Sequence, residues 1–167
     1  MSELHERVKT FLAGAGGDVR RAVNADRPDA LDADAVVFAR DNRGRQQRRA
    51  NAPALNIEIV PRPGGPPRSV GIGWQERDVV VDLKCTAKRK APAAGEEQLD
   101  LVADVARILE RRYHGRTRLD LADPGTAKFR YSLAELVEID DVPESSELAR
   151  SIVRVAFTFA EPIEGVA

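Results

Sequence analysis

The chain has 167 residues, enough for one domain with a sizeable core, and 26 basic against 27 acidic side chains leave a net charge of −1. That balance excludes a general electrostatic pull toward nucleic acid or membranes, so any such attraction has to come from local clustering. No apolar run approaches the roughly 18 residues of a membrane span, and the charged N-terminus lacks a signal-peptide core.

In chain order, the first predicted element is a helix over residues 3–13, with Leu4, Val8, Phe11 and Leu12 on one face. Gly14, Gly16 and Gly17 stop it, and a shorter helical turn follows over 18–24. Residues 35–39 (AVVFA) suit a short strand. Residues 40–52 then carry five arginines, Arg40, Arg43, Arg45, Arg48 and Arg49, against a single aspartate. With no apolar side chain larger than alanine before Pro53, this segment is expected to be a mobile loop or arm.

Residues 54–60 (ALNIEIV) alternate, with Leu55, Ile57 and Ile59 on one side and Asn56 and Glu58 on the other. The run of Pro61, Pro63, Gly64, Gly65, Pro66 and Pro67 breaks that strand. Residues 69–74 (SVGIGW) read as a glycine-softened strand with Val70, Ile72 and Trp74 aligned, leading into the strongest one, DVVVDLKCTAK over 78–88. There Val79, Val81, Leu83, Cys85 and Ala87 make a dry face, and Asp78, Asp82, Lys84, Thr86 and Lys88 a wet one. A lone cysteine on the dry face is expected to be an inert core thiol in a reducing compartment.

The best helix covers 96–112, with Leu99, Val102, Val105, Ala106 and Leu109 in a stripe and Arg111 and Arg112 at its end, where the helix dipole favours cations. A turn-rich piece over 115–125 leads to a strand over 127–140. Its expected core face is Phe129, Tyr131, Leu133, Val137 and Ile139, with Glu135 marking a bulge or turn. The last strand, 150–160, places Val153, Val155, Phe157 and Phe159 inward, and should pair with its predecessor as an antiparallel hairpin. The fold class that follows is α+β: a single domain with one mostly antiparallel sheet, an N-terminal helix, and one long helix packed on one face.

Three constellations could carry chemistry. Glu58 on one strand and Asp82-x-Lys84 on the next resemble the metal-dependent nucleases of the restriction-endonuclease-like family, where carboxylates hold magnesium and lysine activates water; Gln98 echoes a further feature of some members. In a chain that is 32% charged, Asp-x-Lys also arises by chance, and the alternative is a solvated face with Glu58 paired across strands. His5 and His114 lack partners at ligand spacing, so no metal site is expected. The five arginines of the arm suit contact with DNA phosphates or with an acidic partner, blind to sequence because aromatics are missing there.

The first helix, the proline-bracketed strand 53–61, RDVVVDLKCTAK, the helix LDLVADVARILE and the closing RSIVRVAFTFAEP together resemble the tail terminator proteins of long-tailed phages and related gene transfer agents. The resemblance covers most of the chain from Pro53 onward and is one of layout. It implies a structural virion protein without catalytic residues, cofactor or metal, assembled in the host cytoplasm. Its copies would form a ring, usually a hexamer, that caps the tail tube and joins it to the head-side connector. DNA would only pass through the lumen, and the arm would face a partner ring or moderate the lumen charge. The ring reading expects Asp82 and Lys84 to be exposed, with no pocket around them. A head–tail joining adaptor and, further off, the magnesium-dependent nuclease are the alternatives.

Overall fold

A computed structural model describes residues 3–39, 55–88, 98–119, 121, 127–139 and 148–163. In chain order the elements are α1 (Glu3–Leu12), α2 (Asp18–Asp26), β1 (Val36–Phe38), β2 (Asn56–Arg62), β3 (Arg68–Gly71), β4 (Trp74–Lys88), α3 (Gln98–Tyr113), β5 (Lys128–Ile139) and β6 (Leu148–Pro162). The two 15-residue strands β4 and β6 pair antiparallel along their whole length, from Trp74 opposite Pro162 to Lys88 opposite Leu148. The sheet runs β1-β2-β4-β6-β5, and β3 pairs with the start of β4 beyond the end of β2. Among the described residues, β1 and β2 pair parallel and the other strand pairings are antiparallel. The arginine-rich segment 40–52, expected to be a mobile arm, lies outside the described residues.

Alternation decides which side of this sheet becomes the core. Val79, Val81, Leu83, Cys85 and Ala87 of β4 and Val153, Val155, Phe157 and Phe159 of β6 are all buried on one face. The helices cover that face: Leu4, Val8, Phe11 and Leu12 of α1, Val19 and Val23 of α2, and Val102, Val105, Ala106, Leu109 and Tyr113 of α3 join the same cluster. Each buried Val, Leu or Phe among them contributes about 1.5–3 kcal/mol when taken from water. Tyr113 packs edge-on against Phe157 at 5.9 Å between ring centres. The Arg7 guanidinium lies 5.1 Å from the centre of the Phe159 ring and donates to the carbonyl of Ala127.

Asp18 ties two helices together. It accepts hydrogen bonds from Arg112 at 2.7 and 3.0 Å and from the Tyr113 hydroxyl at 2.9 Å. Burial, with Asp18 beside it, holds the Tyr113 phenol well above its ordinary pKa, so the hydroxyl stays a donor. Nothing in the local sequence of α2 announces this clamp, because its partners are more than 90 residues away.

Two expectations need correction. Residues 69–74 do not form a single strand. Gly73 at φ 79° and Gly71 at φ 151° turn the chain through Ile72, so β3 and β4 make a hairpin and Ile72 sits at its tip. Glu135 is not the irregularity in β5 either. The register against β6 shifts between Phe129 and Tyr131 and again between Leu136 and Glu138. The first shift rotates the strand by one residue, so Ser132 and Ala134 face the core while Tyr131, Leu133 and Glu135 face outward.

Candidate functional site

With the described helices on one face, the opposite face of the sheet carries Asp78, Asp82 and Arg154. Paired residues in adjacent strands point the same way, so the register reads directly as rows across this outer face. One row is Val60, Asp82, Arg154 and Glu135; the next toward the hairpin is Arg62, Val80, Ala156 and Leu133. On the other side, Glu58 stands opposite Lys84, and Lys84 opposite Ile152.

Asp82 is the centre of this face. Its two carboxylate oxygens accept from Arg154 Nε at 2.9 Å and the second guanidinium nitrogen at 3.2 Å, while Arg62 Nε approaches to 3.6 Å. This fork-to-fork pairing is the strong form of a charged hydrogen bond. It also corrects an expectation: Asp82 is only 4% exposed, because the two arginine side chains cover it. Lys84 is half-buried. Asp82 raises the Arg154 pKa further, chiefly through the hydrogen bonds.

Toward the hairpin the pattern repeats. Arg68 donates to both oxygens of Asp78 at 2.8 and 3.0 Å, and the Thr158 hydroxyl adds a third bond at 2.8 Å. Buried Glu76 is reached by Arg68 at 3.5 Å and by Arg130 at 3.1 Å. At the other end, Arg150 meets Glu138 at 2.6 Å. Between and beyond these pairs lie apolar side chains: Leu133 and Val137 of β5 are 48% and 42% exposed, and Val70, Ile72 and Trp74 of the hairpin are exposed as well.

The structure thus brings Glu58, Asp82 and Lys84 onto one face in adjoining rows, but in a setting unlike a metal centre. Two guanidinium groups already neutralise Asp82, and a divalent ion would have to displace them. Gln98 opens α3, on the other side of the sheet. Among the described residues no group of three or more His, Cys, Asp and Glu side chains could hold a metal ion. His5 lies in α1, and His114 directly follows α3, with its Nδ1 2.8 Å from the carbonyl of Ala134. Cys85 is buried, and burial pushes its thiol up to about 12, leaving no thiolate at neutral pH. Gly14, Gly16 and Gly17 form the turn between α1 and α2, where the Gly14 N–H donates to Val36. Arg40, Arg43, Arg45, Arg48 and Arg49 fall outside the described residues.

Arg154 and Arg62 are the important residues that reading the sequence missed. A signal existed: Asp82 and Arg154 both occupy wet positions in the middle of long strands, so pairing those strands in register joins them. No known family model, curated protein or solved structure matches the chain. Chemically, the outer face offers balanced charges held in fixed positions and apolar side chains in contact with water.

Proposed function

We propose that the chain is a structural assembly protein of the tail-terminator kind. Its copies close into a ring, expected to be a hexamer, that caps a tail tube and joins it to a head-side connector in a virion assembled in the host cytoplasm. The observation that supports this most is the outer sheet face, where carboxylates are neutralised by arginines and apolar side chains remain uncovered. Fixed, complementary charge gives partner choice and register, while the apolar side chains supply the area that makes contact favourable.

No catalytic residue, metal or cofactor belongs to this reading. A nuclease would need Asp82 to exchange Arg154 and Arg62 for a cation, and losing a fixed bidentate partner is costly at a nearly buried carboxylate. The arm residues Arg40, Arg43, Arg45, Arg48 and Arg49 are assigned to a partner ring or to the lumen through which DNA passes. Imaging tail tubes mixed with the purified chain tests the proposal. Rings seated at one tube end support it, while bare ends beside a persistent monomer refute it. Capture of a portal-side ring in place of the tube would favour the adaptor role, and magnesium-dependent DNA cleavage abolished by Lys84→Ala would restore the nuclease.

A further inference from the structure

Two uncovered apolar patches stand far apart on the outer face. The first is the hairpin tip: Ile72 is 99% exposed at the turn, with Val70 and Trp74 beside it. Lys128 stands at its rim, with Nζ 5.7 Å from the centre of the Trp74 ring, while Arg68 and Arg130 are held by Asp78 and Glu76. The second is Leu133 and Val137 on β5, the last strand of the sheet, with exposed Glu135 between them; half-buried Glu138, next in line, is held by Arg150. Leu133 lies in the row of Val80, six residues along β4 from Trp74, so the patches are separated by roughly 20–30 Å. A turn anchored by strand pairing cannot fold back across that distance. One chain therefore carries both halves of a contact that it cannot make with itself.

We infer that the hairpin tip of one copy docks on the Leu133–Val137 patch of the next. The apolar tip covers Leu133 and Val137, and Lys128 at its rim faces Glu135. A second copy is the occupant because exposed Leu133 and Val137, with the exposed carboxylate of Glu135 between them to meet Lys128, lie on this same chain. The contact joins different surfaces on the two copies, so repetition generates a ring or an open chain of subunits. This deepens the ring reading and rests on it for closure, but the pairing of these two patches stands on their exposure and charge.

The experiment is light scattering on purified full-length protein and variants. Ile72→Asp and Leu133→Asp each change an exposed side chain, and circular dichroism checks that both remain folded. The expected result is assembly of the wild type and a fall to single-chain mass in both variants. Lys128→Glu and Glu135→Lys should each weaken assembly at least tenfold, and the double variant should restore it. Wild-type mass in either aspartate variant would remove this pairing while leaving the ring reading intact. A wild type that stays monomeric at all concentrations would remove both. Binding of the monomeric wild type to anionic vesicles, lost in Ile72→Asp, would assign the tip to a lipid surface and overturn the inference.

Discussion

Asp82 is a nearly buried charge held by arginines from two neighbouring strands. A carboxylate at 4% exposure costs several kcal/mol to desolvate unless its lone pairs are occupied, and here Arg154 occupies both oxygens. Asp82→Ala leaves Arg154 and Arg62 facing each other across the gap. Because Arg154 is itself about one-third exposed and partly screened, the expected loss is about 1–3 kcal/mol in urea unfolding. Replacing Arg154 by alanine as well should recover part of it; an unchanged midpoint in Asp82→Ala would contradict the pairing. Asp78 gives a pH signature. Hydrogen bonds from Arg68, opposed by burial and helped by Thr158, hold its carboxylate below the ordinary 3.8. A depressed pKa means that the unfolded chain takes up the proton first as pH falls. The stabilisation is therefore complete above the ordinary carboxylate range, and is lost as pH drops from there through the folded value. Asp78→Asn should flatten stability against pH below about pH 5. Parallel curves for variant and wild type would show that Asp78 contributes nothing.

At the scale of elements, β5 separates what was legible in the sequence from what was not. Alternation located β2, β4 and β6 with their inward faces correct, because Leu55 to Ile59, Val79 to Ala87 and Val153 to Phe159 each bury every second residue as an apolar side chain. The layer of helices on one face followed from the stripe in α3. In β5, apolar residues occur in both phases, with Leu133 and Val137 in one and Ala134 and Leu136 in the other. Only the shift at Arg130 decides between them, and that shift is fixed by pairing with β6. The hairpin tip was hidden for a similar reason: Val70, Ile72 and Trp74 alternate like a strand, and the glycines that turn the chain looked like mere gaps in packing. Paired arginines were equally invisible, since a local pattern gives the face of a residue but not its neighbour across the sheet. The β5 assignment has a direct check at a concentration where the chain is monomeric. Leu133→Ser should change stability by no more than about 0.5 kcal/mol. Ala134→Leu, which overfills a buried position, should cost about 1–3 kcal/mol. The opposite order would mean that Leu133, not Ala134, faces the helices.

At the scale of the whole molecule, the division of labour lies between the two faces of the sheet. One face is spent on the helices and the core, which makes a rigid plate. The other fixes a mosaic of charges and leaves apolar side chains uncovered at the hairpin and along β5. On the proposed reading, a plate with unlike patches at separated positions repeats head-to-tail, and it closes into a ring at a tube end where the rotation between copies allows. On the same reading the arginine-rich segment 40–52 would add a contact to a partner or to the lumen. The claim most open to refutation is that copies assemble on the end of a tail tube. Electron microscopy of tubes titrated with the purified chain reads this directly, by counting occupied ends as protein is added. The account predicts saturation at a single ring on one end of each tube. Tubes decorated along their length, or ends left bare at saturating protein, would contradict it.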